Sequence, residues 1–82
     1  MYTKEDLIGR IIYDSMEEPR WPYCIEHNAD AEWVNIAWYK LDGHASDGSN
    51  KFRVDFVNEK LRGNKWELGG KVERTIDNYE IF

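Results

Sequence analysis

The chain has 82 residues, a net charge of −5 and a charged fraction of 33%. This length predicts one domain, and the hydrophobic fraction of 41%, without low-complexity tracts, excludes an intrinsically disordered chain. Cys24 is the single cysteine, so an intramolecular disulfide is excluded. Because no long apolar run is present, neither a signal peptide nor a membrane span is expected, and the sequence predicts a cytoplasmic domain.

The first predicted element is an N-terminal helix over 4–16. Thr3 is a favourable capping residue with an acidic residue three positions later, and the apolar residues that follow recur at helical spacing. Gly9 lies inside this stretch and lowers its helix propensity by about 1 kcal/mol relative to Ala. Pro19 and Pro22 are expected to end the helix and to form a turn.

The rest of the chain alternates with a period of two, which predicts strands. A polar loop over 42–50 interrupts them, and Gly69-Gly70 indicates a further turn. The predicted strands run over 21–27, 32–41, 51–57 and 71–77, and residues 58–69 are predicted to form a hairpin that turns at Gly63-Asn64. The predicted fold is α+β, with one N-terminal helix packed on a four- to five-stranded antiparallel meander sheet.

Aromatic residues are abundant, at 15% of the chain with four Trp among them. A sheet this small cannot hide so many rings on one side, so some are expected at the surface. Segment 33–40 is apolar on both faces, and one face is predicted to bind a partner. The predicted binding residues on and near this face are Trp33, Asn35, Tyr39, Arg53 and Asp55, with Trp21 or Trp66 close by. The alternative is that this strand is buried on both sides and that its rings only stabilise the sheet.

The charge is unevenly distributed, because the first fifty residues are strongly acidic while residues 51–74 are basic. The densest acidic stretch runs from residue 14 to residue 32 and would attract a basic partner. The predicted partner-binding acids in this stretch are Glu17, Glu18, Asp30 and Glu32. An ordinary solvated face that keeps a small protein soluble is the alternative interpretation.

No complete catalytic or metal-binding motif is present. Cys24 and His27 have ligand-like spacing and His44 is a third candidate, but a structural zinc site needs four ligands, so neither a metal nor a cofactor is predicted. No local motif orients a nucleophile beside a base, and the chain is predicted not to be an enzyme. Direct nucleic-acid binding is disfavoured because the strand over 51–57 lacks the glycines of an RNA-recognition signature and the chain is acidic.

These features together indicate a small acidic protein-binding module. A specific version is a phage or mobile-element inhibitor or adaptor that occupies a basic or nucleic-acid-binding surface of its partner. Two alternatives use the same rings, namely binding of a sugar or nucleotide on the aromatic sheet face and homo-oligomerisation through that face. The solvent exposure of Trp33 and Tyr39 is the structural observation expected to discriminate most strongly.

Overall fold

The computed structural model describes residues 1–38, 50–74 and 79–81, and within them it shows an antiparallel sheet with two helices. The elements in chain order are α1 (Lys4–Leu7), β1 (Arg10–Asp14), β2 (Pro22–His27), β3 (Trp33–Trp38), β4 (Asn50–Arg53), α2 (Val54–Arg62), β5 (Trp66–Arg74) and β6 (Tyr79–Ile81). The six strands are ordered β4-β3-β2-β1-β5-β6 across the sheet, and every adjacent pair is antiparallel. The predicted α+β character and antiparallel sheet are therefore confirmed.

The predicted helix over 4–16 is wrong beyond Leu7. The Thr3 cap itself is present, because the Thr3 hydroxyl accepts a hydrogen bond from the backbone of Asp6 at 3.2 Å and the Asp6 carboxylate accepts one from the Thr3 backbone at 3.0 Å. Gly9 has φ 84°, a conformation that favours glycine, and it leads the chain out of α1 and into β1. Ile11 and Ile12, adjacent and both buried, fit a strand with two covered faces as well as a helix.

The main helix lies in the middle of the chain. The predicted strand over 51–57 ends at Arg53, and its remainder joins the first part of the predicted hairpin over 58–69 to form α2. Val54, Val57 and Leu61 recur at helical spacing and pack against the core, with Val57 fully buried. Tertiary packing of this apolar stripe decides between helix and strand, since the Phe52-Val54-Phe56 alternation alone favours a strand.

The two glycine turns predicted after the third strand also differ from the structure. Gly63-Asn64 does not join two strands but ends α2, with Asn64 at φ 58°, and leads into β5. Gly69 and Gly70 lie inside β5, which continues to Arg74 and replaces the predicted separate strand over 71–77, whose last three residues are outside the described ranges.

Gly69 sits where β5 passes close to β1. A Cβ atom there would lie 3.0 Å from a carbon of the Tyr13 ring and 3.3 Å from the carbonyl oxygen of Ile11. The Arg10 guanidinium donates two hydrogen bonds to the Gly69 carbonyl, at 2.7 Å and 3.0 Å, next to an irregularity in the β1–β5 register. Gly69 therefore permits the close approach of β5 to β1 and does not form a turn.

Side chains alternate between two faces of the sheet. The first face lies under α2 and carries the core, which comprises Leu7, Ile12, Ile25, Val34, Ile36 and Val57. The second face carries Ile11, Cys24 and Ala37, which are neighbours in the strand register and are all buried. Strand β3 thus buries residues on both of its faces, as the alternative interpretation of the sequence required.

Candidate functional site

A pocket of about 490 Å³ opens on the first face, at one end of the sheet. The described residues that line it are Ile12, Asp14, Tyr23, Ile36, Trp38, Asn50, Phe52 and Trp66. They cluster because β1 and β3 end where β2, β4 and β5 begin, and antiparallel pairing places these termini at one end of the sheet. The volume lies within the usual range of ligand-binding pockets.

Two packed rings, Phe52 and Trp66, form an aromatic wall of the pocket. Their centroids lie 5.5 Å apart with an interplanar angle of 88°, which is an edge-to-face contact. Phe56, on α2, does not line the pocket but stacks on Phe52 at 5.7 Å and meets Trp66 edge to face at 5.7 Å. Because each ring contacts the other two, the wall belongs to an aromatic cluster that connects β4, α2 and β5.

Two exposed indoles lie at this end of the first face. Trp21 and Trp38 meet edge to face with centroids 5.6 Å apart, and they remain 45% and 39% exposed. Trp38 lines the pocket, and Trp21 directly precedes β2. The expectation that some rings stay at the surface is confirmed here, and large, half-exposed indoles are typical of binding hot spots.

The wall next to these rings is polar and acidic, since Asp14 is the strand partner of Trp66. Asp14 lines it, and its Oδ1 accepts a hydrogen bond from the Met16 backbone at 2.9 Å. The Tyr23 hydroxyl donates to Glu17 Oε2 at 2.9 Å, whereas Glu17 Oε1 is buried and accepts no hydrogen bond from the described residues. Burial, the hydrogen bond to Glu17 and the negative charges of Glu17 and Asp14 together raise the pKa of Tyr23. This wall therefore has a negative potential.

The structure places the predicted aromatic anchor Trp33 on the second face, away from the pocket. It is half-buried, and the Lys51 ammonium and the Arg53 guanidinium lie 4.6 Å and 5.5 Å from its ring centroid. Arg53 also pairs with Glu32 at 3.2 Å. The Trp33 indole thus already contacts cations of the neighbouring strand, which gives it a structural role within the sheet.

The other predicted binding residues do not form one surface. Asn35 shares the second face with Trp33 and Arg53, and its side chain hydrogen-bonds that of Asn28 at 2.9 Å. Trp21 lies on the first face, Asp55 lies in the first turn of α2, and Tyr39 is outside the described residues. Of the five residues predicted on one face, Trp33, Asn35 and Arg53 therefore do share it, whereas Asp55 does not.

The four predicted binding acids separate in the same way. Glu17 and Glu18 lie between β1 and β2, at the pocket end of the sheet. Asp30 accepts a hydrogen bond from the Glu32 backbone at 3.3 Å in the connection between β2 and β3, at the other end. Arg20, the one Lys or Arg between residues 14 and 32, pairs with Glu67. Among the described residues, Glu17 and Glu18 therefore form no ion pair.

Cys24 and His27 do not form a ligand pair, because residues three apart on a strand point to opposite faces. Cys24 is a free, buried thiol, and His44 is outside the described residues. Among the residues that the structure describes, no group of three or more His, Cys, Asp or Glu side chains is arranged to hold a metal ion.

Sequence reasoning missed most of the pocket. Asp14 was assigned to a helix, and Trp66 was assigned to a hairpin that does not exist. The available signal was the matched alternation of Tyr23 with Ile25 and of Ile36 with Trp38, which places these four side chains on one face. Pairing of β1 with β5, which brings Asp14 opposite Trp66, is a long-range contact that local patterns do not encode.

A comparison of the chain with protein-family models, curated proteins and solved structures finds no significant match. Within the described ranges, no helix combines the length and apolar character that crossing a bilayer requires.

Proposed function

We propose that this chain is a small, acidic, non-enzymatic module that binds a basic surface of a partner protein, as an inhibitor or adaptor of the phage or mobile-element type. The observation that carries the proposal is the pocket at the end of the first face, where exposed indoles lie beside carboxylates. Aromatic anchors supply desolvated contact area, and the surrounding acids steer a basic partner toward it.

The two faces of the sheet differ in a way that favours the first face as the contact surface. On the second face the described rings of Tyr13 and Trp33 already lie under the protein's own Arg20, Lys51 and Arg53. On the first face, Trp21 and Trp38 are exposed beside an acidic wall. The net charge of −5 adds a long-range attraction for a basic partner.

The proposal is tested by capturing partners on the immobilised protein from the cells that naturally produce it and then measuring the purified complex. We expect a partner with a basic surface whose affinity falls about tenfold or more between about 50 mM and about 300 mM salt. Trp21→Ala is expected to weaken the complex about tenfold. Trp33→Ala removes the same ring from the second face and serves as the matched control. A complex insensitive to both salt and Trp21→Ala would contradict the proposal.

The size of the pocket favours one alternative function, the binding of a small molecule such as a sugar or nucleotide. A cavity of about 490 Å³ with aromatic walls suits a stacked ring ligand. Such binding would depend little on salt, because it rests on stacking and not on long-range charge. Titration of sugars and nucleotides against tryptophan fluorescence tests it, and sedimentation of the protein alone tests homo-oligomerisation through the same face.

A further inference from the structure

We infer that the pocket on the first face accepts the guanidinium group of an arginine side chain, with Asp14 as its counter-ion and the rings of Phe52 and Trp66 as its apolar wall. This inference rests on the proposed function, because the arginine would belong to the basic surface of the partner protein. It specifies the chemistry that the pocket recognises.

The charge of the lining is the first argument. Among the described residues that line the pocket, Asp14 is the one carboxylate and none is Lys, Arg or His. Asp14 Oδ1 accepts the Met16 backbone hydrogen bond, while no described residue donates to Oδ2. A carboxylate in an aromatic pocket whose described lining holds no cation is matched by a ligand that is cationic and can donate hydrogen bonds.

A second carboxylate, that of Glu17, lies one hydrogen bond away from the lining of the pocket. Glu17 Oε1 is buried without a donor among the described residues, although buried acceptors are normally hydrogen-bonded. Glu17 is connected to the pocket through the Tyr23 hydroxyl, which lines it. The elevated pKa of Tyr23 reflects its burial and the negative charge of Glu17 and Asp14 on this wall. A cation bound here would relieve an excess of acceptors.

The shape of the lining favours arginine over lysine. A guanidinium is planar, weakly hydrated and able to stack on an aromatic ring while it donates to a carboxylate in its own plane. The pocket offers both kinds of contact, because Asp14 and Trp66 are partners on adjacent strands and both line it. A lysine ammonium is compact and strongly hydrated, so it would use the aromatic wall less well.

The test is a titration of the whole chain, followed by NMR, with Nα-acetyl-L-arginine amide. Nα-acetyl-L-citrulline amide is the matched probe, since it has nearly the same shape but carries no charge. We expect resonances of Asp14, Tyr23 and Trp66 to shift with the arginine probe and the citrulline probe to bind about tenfold more weakly or not at all. Equal binding of the two probes, or shifts confined to residues outside the pocket, would overturn the inference.

Asp14→Asn removes the charge and keeps a side-chain oxygen that can accept the Met16 hydrogen bond. This variant is expected to bind the arginine probe about tenfold more weakly. Glu59→Gln makes the same charge change at an exposed position of α2 and is expected to alter binding by less than about twofold. Unchanged binding by a folded Asp14→Asn protein would overturn the inference, and the citrulline comparison decides if that variant does not fold.

The partner complex separates failure of this inference from failure of the proposed function. If the arginine probe binds in the pocket but the partner complex ignores both Trp21→Ala and Asp14→Asn, the guanidinium site stands and the proposed docking surface is wrong. If Trp21→Ala weakens the partner complex while Asp14→Asn and the arginine probe have no effect, the docking surface stands and the guanidinium site is overturned.

Discussion

Cys24 lies in the buried row of the second face, between Ile11 and Ala37 in the strand register. Burial, with a smaller effect from the charge of Glu26, raises the pKa of the Cys24 thiol to about 12. Because the thiolate is the reactive form, the folded protein should keep this cysteine inert.

Alkylation measures this directly. At about pH 8 we expect iodoacetamide to label Cys24 in the folded protein on the order of a hundredfold more slowly than in urea. Equal labelling rates in the two states would contradict the burial of Cys24.

The same pKa shift predicts a pH effect on stability. The unfolded thiol begins to ionise near its ordinary pKa of 9.0, while the folded thiol stays protonated until about 12. The free energy of unfolding should therefore fall as the pH rises between these values, and Cys24→Ala should remove this component of the slope.

Tyr23 and Glu17 form the second residue-scale test. Tyr23→Phe removes the hydroxyl that donates to Glu17 Oε2, so neither oxygen of this partly buried carboxylate would accept a side-chain hydrogen bond from the described residues. We expect the free energy of unfolding in urea to fall by about 1–3 kcal/mol. Tyr13→Phe is the matched control, because its ring lies under Arg20 and its hydroxyl makes no hydrogen bond to the described residues. The control should change stability by less than about 0.5 kcal/mol. Similar losses in the two variants would show that the Tyr23–Glu17 hydrogen bond does not stabilise the fold.

At the scale of elements, Gly9 lies between α1 and β1, and its backbone conformation distinguishes this arrangement from a continuous N-terminal helix. With φ at 84°, Gly9→Ala should lower the free energy of unfolding by about 1–2 kcal/mol. Within a continuous helix over 4–16, the same substitution would raise it by about 1 kcal/mol. Gly63→Ala is the control, because Gly63 has φ −82° and a Cβ atom there would meet nothing closer than 3.4 Å. In urea unfolding, Gly9→Ala should therefore lower the free energy of unfolding relative to the Gly63→Ala control. A continuous helix over 4–16 would give the opposite sign.

Segments whose residue pattern fits only a strand were predicted from the sequence, and segments whose pattern fits both a helix and a strand were not. β2 was predicted from the alternation of Tyr23 and Ile25 with Cys24 and Glu26, and β3 from its aromatic and β-branched residues. The segment from Phe52 to Leu61 satisfies a period of two at its start and a helical period from Val54 onward, and only packing on the sheet selects α2. The excess of rings predicted that some would be exposed, but the composition of the pocket depends on the long-range pairing of β1 with β5.

At the scale of the whole molecule, the two faces of the sheet differ in how their charged groups are paired. On the second face the cations of Arg20, Lys51 and Arg53 lie over the protein's own rings, and Arg20 and Arg53 also pair with Glu67 and Glu32. The first face ends in a pocket with Asp14 in its lining and Glu17 one hydrogen bond away, and neither carboxylate pairs with a cation among the described residues. The proposed function therefore predicts that a basic partner is attracted to the pocket end of the first face.

The four tryptophans sample both faces, and this makes one measurement decisive for the central claim. The protein is labelled with 5-fluorotryptophan, its four fluorine resonances are assigned with single Trp→Phe variants, and the partner is added. If the first face is the contact surface, the resonances of Trp21, Trp38 and Trp66 shift while that of Trp33 does not. A shift of Trp33 alone, with the other three unchanged, would contradict the account.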